Sequence, residues 1–205
     1  QPAEENMFGT HKLLGGLFIL EPATYSIGGQ YIDRRVAGSR IQATVSANLI
    51  VNRDTGRPEG SFGTLYYGQP LYSAETKWAW KAQIVWYDEI FRSFVGTGLR
   101  TYDSPTTQGD DAIPYRYDAA RWFGVYALTR SFGRRVKLDV STGAEVDRRK
   151  FAPRDVGNAA PAAVDDFVHN VLPVSDTRVS PFVQVRSYTS QYHRVLDLET
   201  LGLQE

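Results

Sequence analysis

Between Glu75 and Glu89 the chain reads ETKWAWKAQIVWYDE. Trp78, Trp80, Ala82, Ile84 and Trp86 take the even positions, and Lys77, Lys81 and Gln83 take odd ones. Alternate side chains of a strand point to opposite faces, so this stretch predicts a strand with one strongly apolar face and one hydrated face. The period recurs. RIQATVSANLIVN sets Ile41, Ala43, Val45, Ala47, Leu49 and Val51 against Gln42, Thr44, Ser46 and Asn48. RRVKLDVSTGAEVDRR sets Val136, Leu138, Val140, Thr142, Ala144 and Val146 against Lys137, Asp139, Ser141, Glu145 and Asp147. SPFVQVRSY sets Val183 and Val185 against Gln184 and Arg186.

THKLLGGLFIL, ATYSIGGQYI, GSFGTLYYGQPLY, FRSFVGTGLRTY and RWFGVYALTRSF read as further strands with a less clean split, which gives about nine or ten in all. Most are longer than the usual five or six residues. SFGRR around Gly133 and RDTGRPEG around Gly56 read as tight turns, and EPATY near Pro22 as another short link. The GTG at Gly96 to Gly98 sits inside a strand run, where small residues mark a bend or close packing. The only helix expected is a short one around AAVDDFVHNV. The chain reads as a single β-barrel domain over 1–205, with a tail over 1–9 and long loops about 103–116 and 152–176.

Composition narrows the partner. The 23 basic and 23 acidic residues cancel, with no long basic run, so no nucleic-acid footprint is present. With no cysteine, thiolate metal sites, thiol catalysis and disulfides are excluded. No apolar run is long enough for a spanning helix, which leaves spanning strands open because these hide apolar residues at every second position. The start QPAEEN carries no signal peptide, as expected of a mature secreted chain or a trimmed one.

Three partners could meet the tryptophan face: a protein core, a ligand or lipid. Soluble sandwiches and lipocalin-like barrels alternate in the same way. Three features favour lipid. The apolar face is often small (Ala43, Ala47, Ala82, Ala144) while the opposite face is bulky and charged. Trp78 and Trp80 at one end of their strand, and Trp86 with Tyr87 at the other, bracket Ala82, Ile84 and Val85 as interfacial girdles would. The strands also exceed the roughly 9–11 residues needed to cross a bilayer. The fold expected is therefore all-β, an antiparallel transmembrane β-barrel or the N-terminal part of a larger one, with meander topology. Trp78, Trp80, Ala82, Ile84, Trp86, Val136, Leu138 and Val140 are expected to face lipid. Lys77, Lys81, Gln83, Lys137, Asp139, Glu145, Asp147, Gln184 and Arg186 are expected to face a polar lumen.

From Tyr25 to Ser73 the chain carries a Gly-rich strand, a Y-x-D-x-x-x-x-G turn (Tyr31, Asp33, Gly38), a long alternating strand and a Y-x-x-P-L ending (Tyr67, Pro70, Leu71). This stretch resembles the start of the barrel in the BamA/TamA superfamily of outer-membrane proteins, the bacterial surface antigens. FGVYALTRSFGRRVKLDVSTGAEVDRR is similar to the next hairpins of that family. The resemblance implies residence in the outer membrane of a Gram-negative envelope and a role in assembling, inserting or translocating other outer-membrane proteins. The bilayer with its lipopolysaccharide, other envelope proteins or a chain completing the barrel would be the partners. The chain departs from the family in having no room for periplasmic POTRA modules, no R-G-F/Y motif and no terminal aromatic after LDLETLGLQE, which suggests a truncated barrel.

His11, His169 and His193 fall at no metal-ligand spacing, so no metal and no cofactor is expected. The acidic pairs Asp110–Asp111 and Asp165–Asp166, the latter just before His169, would suit a rim hydrolase, but they read more simply as solvated loop residues. No nucleophile-elbow, P-loop or dinucleotide fingerprint occurs. A non-enzymatic membrane barrel is the leading expectation. The alternative is a soluble or membrane β-barrel that binds a small apolar ligand or acts as an outer-membrane hydrolase.

Overall fold

A computed structural model describes residues 3–4, 12–108, 111–195 and 198–204, with side chains over 12–108 and 111–189. Tight turns bring sequence neighbours together at the smallest loop-closure cost, and the strands pair accordingly. They are β1 (Ala3–Glu4), β2 (Lys12–Leu20), β3 (Thr24–Asp33), β4 (Gln42–Asn52), β5 (Pro58–Gln69) and β6 (Trp78–Arg92). Four two-residue strands follow, β7 (Phe94–Val95), β8 (Gly98–Leu99), β9 (Thr101–Tyr102) and β10 (Ile113–Pro114). Then come β11 (Arg116–Phe132), β12 (Val136–Pro153), helix α1 (Pro161–Asn170), β13 (Asp176–Val195) and β14 (Leu198–Gln204).

Ten strands form one sheet in the order β1-β2-β3-β4-β5-β6-β11-β12-β13-β14, and every pairing in it is antiparallel. The expected all-β antiparallel meander is thus the observed architecture. The strands lengthen along the order, from 9 residues in β2 to 20 in β13. The Tyr31–Asp33–Gly38 turn has a direct physical basis. Asp33 Oδ1 accepts the Arg35 N–H at 2.9 Å, and Gly38 takes the left-handed φ of 75° that closes the loop back to β4.

The strand number agrees with expectation, but the strands are not the same ones. FRSFVGTGLRTY does not form a wall strand. The chain leaves the sheet after Arg92, turns at Gly96 (φ 62°) between β7 and β8, and pairs β9 with β10. The GTG therefore makes a reversal, not a bend within a barrel strand, and β1 and β14 complete the ten. The segment 152–176 is not simply a loop, since β12 runs to Pro153 and α1 follows with Pro161 in its first turn. Short connections occur at both ends of the sheet. Two short links, 21–23 and 53–57, share one end with the long segments 93–115 and 154–175, while 34–41, 70–77 and 133–135 lie at the other.

The buried apolar cluster sits at the long-segment end. Ile113, Tyr117, Ala163, Phe167 and Leu172 form it, with Tyr102, Tyr115, Ala119 and Phe151 against it. The Phe167 ring lies 5.6 Å from that of Tyr102 and 6.0 Å from that of Tyr115. Helix α1 and the β9–β10 pair thereby form a cap on the ends of β11 and β12. Phe167 is fully buried, and its replacement by alanine is expected to destabilise the cap by about 3–5 kcal/mol. Hydrogen exchange should accelerate across α1 and leave the central amides of β6, β11 and β12 protected.

Candidate functional site, an apolar face backed by a polar one

Residues directly opposite in adjacent strands share a face, so the register sorts the side chains into two sets. One row runs Tyr31, Val45, Leu65, Ile84, Gly124, Val146 and Val179 across β3 to β13. The rows beside it on the same face hold Ala82 with Tyr126 and Ala144, Trp80 with Leu128, and Trp78 with Arg130 and Val140. The register therefore places Trp78, Trp80, Ala82, Ile84, Trp86, Val136, Leu138 and Val140 on a single face. Lys81, Gln83, Lys137, Asp139, Glu145, Asp147, Gln184 and Arg186 share the opposite one. Lys77 precedes β6 and belongs to neither strand face; its carbonyl accepts the Ser131 N–H at 2.9 Å.

Burial is inverted relative to a water-soluble fold. The apolar face holds most of the exposed large hydrophobic side chains, including Phe18, Ile27, Trp122, Tyr126, Val179, Val183 and Val185, with Trp122 56 % and Val183 73 % exposed. Polar groups are buried on the other face. Lys137 is 4 % exposed and donates to Ser131 Oγ (3.4 Å) and to the Ala74 carbonyl, while Asp139 is 8 % exposed. Arg121 grips Asp147 through two bonds of 2.9 and 3.0 Å, and Arg149 adds two more at 2.8 and 3.1 Å. The polar face is concave, because one cavity of about 480 Å³ is lined by side chains of five neighbouring strands, β2 to β6.

Glycine permits close packing on that face. At Gly143 a Cβ would collide with the Tyr126 carbonyl oxygen and lie 2.8 Å from the Phe182 ring, which folds over the space a side chain would occupy.

The apolar band runs obliquely to the strands. On β3 its edge toward the capped end is Tyr25, two residues beyond Ile27, and the row through Ile27 arrives on β12 at Lys150. On β12 the band ends at Val146, before Arg148. The edge has therefore slipped six residues over five strand spacings. That is about 20 Å along the strands against about 24 Å across them, a slope of about 40°. The ten-residue step from Val136 to Val146 then has a height of about 25 Å along the normal to the band.

Aromatic residues collect at the band edges, though not all as the sequence suggests. Trp86 faces Trp122 in register, and its Nε1 donates to Ser61 Oγ at 3.3 Å. The Arg130 guanidinium lies 4.6 Å from the Trp78 ring, and the Tyr67 ring lies 5.6 Å from that of Trp80. Tyr87 and Val85 do not belong to this set. Both lie on the polar face with Gln83, because odd positions of β6 point there, and the Tyr87 ring packs 5.7 Å from that of Phe62. Trp122, opposite Trp86, and Phe132, opposite Leu138, stand at the band edges where the sequence pattern leaves them unassigned, while Tyr126 lies inside the band opposite Ala82.

The cap holds the residues considered for hydrolysis. Asp166 Oδ2 accepts the Tyr102 hydroxyl (2.6 Å) and the Ser104 hydroxyl (2.7 Å), and its Oδ1 accepts Asn170 Nδ2 at 2.6 Å. Asp166 is thus a structural acceptor tying α1 to the β9 segment and not a solvated loop residue. His169 is exposed and turned to its own helix, with Nδ1 2.8 Å from the Asp165 carbonyl oxygen and 3.3 Å from Asp165 Oδ1. Asp111 accepts the Thr107 hydroxyl and donates its N–H to Asp103 Oδ1 at 3.1 Å. Asp110 and His11, and the side chain of His193, lie outside the described residues.

No protein-family model, no curated protein and no solved structure matches the chain.

The Tyr102 hydroxyl bond, with that of Ser104, holds the Asp166 carboxyl below the usual carboxylate range, and the same bond holds the Tyr102 phenol above its usual value. The Asp166 contribution is complete above the unfolded aspartate value of about 3.9 and is lost as pH falls through the depressed folded value. The Tyr102 contribution is complete below about 10 and is lost as pH rises through the raised folded value. Protection of the α1 amides, taken relative to their intrinsic exchange rate at each pH, should therefore be highest between these limits, and Asp166→Asn should flatten the acid limb.

Proposed function

We propose that this protein is an integral β-barrel of the bacterial outer membrane, with the apolar face against lipid and the polar face lining a hydrated interior. The observation that carries this reading is the uncovered apolar face extending across β2 to β13, with charged and hydroxyl side chains packed behind it. An exposed apolar patch spanning many strands far exceeds the few hundred Å² found on soluble monomers. The slope of about 40° matches the roughly 35–45° tilt of barrel strands, and the height of about 25 Å matches the apolar belt of such barrels.

Closure follows from the solvent. In hydrocarbon each unpaired backbone group costs several kcal/mol, so a spanning sheet has no open rim. Ten alternating strands leave β1 and β14 running in opposite directions, the relation an antiparallel seam requires. The role in assembling, inserting or translocating outer-membrane proteins rests on the resemblance to the BamA/TamA superfamily alone, through Tyr31, Asp33, Gly38, Tyr67, Pro70 and Leu71.

Reconstitution into vesicles with bromine-labelled acyl chains tests the lipid contact. The four tryptophans, Trp78, Trp80, Trp86 and Trp122, should be quenched strongly by the bromolipid and weakly by aqueous iodide. The reverse order, or a chain that stays folded and monomeric without detergent, overturns the assignment. In the same vesicles Ala82→Arg, midway between Trp78 and Trp86, should destabilise by about 2–4 kcal/mol, the cost of a cation near the bilayer midplane. Gln83→Arg, one residue away on the polar face, should change stability by less than about 1 kcal/mol.

A further inference from the structure

Two aromatic side chains stand where a hydrated interior gives them no reason to be. Phe62 and Tyr87 lie on the polar face, opposite each other in register, and Tyr87 is 40 % exposed. They border the cavity of about 480 Å³ under β2 to β6. The Tyr87 hydroxyl is held by Glu89 Oε2 at 2.9 Å, which fixes the ring without using it.

The rest of the lining is uncharged. Gln30, Ser46, Asn48 and Thr64 supply the polar groups, and the remainder is aliphatic, aromatic or glycine. The charged part of the face, where Lys81, Asp139, Glu145, Asp147 and Arg121 alternate in sign, begins at Arg121, directly opposite Tyr87 on β11, whose guanidinium is taken up by Asp147. A site without charge has nothing to balance a phosphate, a carboxylate or an ammonium. Amide and hydroxyl side chains both donate and accept, so they match a ligand whose groups do the same.

One acceptor is already waiting. Asn48 is 6 % exposed, and its Oδ1, itself buried, has no hydrogen-bond partner among the described residues. Its Nδ2 donates to the Phe62 carbonyl at 3.4 Å, and the Oδ1 lies over Gly28, in the space a Cβ there would fill. A buried acceptor without a partner is costly, and a ligand hydroxyl would recover that cost.

We propose that this cavity binds a neutral saccharide. The Phe62 and Tyr87 rings take the apolar C–H face of the sugar, Asn48 Oδ1 accepts one of its hydroxyls, and Gln30, Ser46 and Thr64 bond the others. The volume lies in the range of small-ligand pockets, about 300–1,000 Å³. The site is argued from its own lining and holds whether or not the apolar face meets lipid.

Calorimetric titration of the full chain, folded in an amine-oxide detergent that carries no sugar, tests this with maltose, trehalose and sucrose. At least one disaccharide should bind saturably, while inorganic phosphate and free lysine should not. Phe62→Ala and Asn48→Ala should each weaken binding roughly tenfold or more, as expected for loss of a ring contact or a buried hydrogen bond. Thr129→Ala, elsewhere on the polar face, should bind as the parent does. Circular dichroism establishes that each variant is folded, and Asn48→Ala removes an unpaired buried group, so its fold is expected to persist. Absence of saturable binding by all three sugars, equal binding of phosphate or lysine, or undiminished affinity in both cavity variants overturns the proposal.

Discussion

A strand offers only two faces, and in this sheet the apolar one is left uncovered. Everything else in the molecule depends on that constraint. With Phe18, Ile27, Trp122, Tyr126, Val179 and Val183 turned outward and Lys137, Asp139 and Asn48 turned inward, water cannot drive the sheet together by burying its hydrophobic side chains. Cohesion comes instead from the backbone ladder, continuous from β2 through β13, and from polar bonds on the concave side such as Arg121–Asp147–Arg149. The proposed bilayer setting fits this arrangement, because hydrocarbon favours apolar surface and penalises open backbone groups.

The oblique band and the cap follow from the same arrangement. In the proposed barrel, strands that tilt by about 40° would be longer than those that cross upright, in keeping with the 15 to 20 residues of β6, β11, β12 and β13. At the end where those strands extend past the band, the chain reverts to water-soluble logic. There Phe167 and Ile113 are fully buried, and Asp166 takes three hydrogen bonds from its surroundings. The cap is thus a small conventional core at the end of the sheet, the one cluster among the described residues in which several buried apolar side chains pack together.

The alternation made β4, β6, β12 and the start of β13 legible in the sequence, because each has a period of two with little noise. It failed where both faces are apolar. In RWFGVYALTRSF the polar-face positions Phe123, Val125 and Ala127 mask the outward set of Trp122, Tyr126 and Leu128, so the second tryptophan of the girdle went unassigned. Tyr87 was misplaced by proximity to Trp86, a neighbour in sequence that points the other way. The reversal at Gly96 could not be read from composition, since VGTGL is as good a strand as a hairpin until the turn is seen to use a left-handed glycine. The cavity was out of reach altogether, because Gln30, Asn48, Phe62 and Tyr87 are joined only by register across four strands.

The central claim is that the even positions of β12 meet lipid and the odd ones meet water. The chain contains no cysteine, so single cysteines can be placed from Val136 to Val146 without a background to remove. Each carries a nitroxide in reconstituted vesicles, where its collisions with oxygen, which enters the bilayer, and with a water-soluble nickel complex are measured. Oxygen accessibility should peak at 136, 138, 140, 144 and 146 and nickel accessibility at 141 and 145, the two oscillating out of phase, while positions 137 and 139, whose side chains are buried, are low in both. Profiles that rise and fall together, or nickel access equal at even and odd positions, would contradict the account.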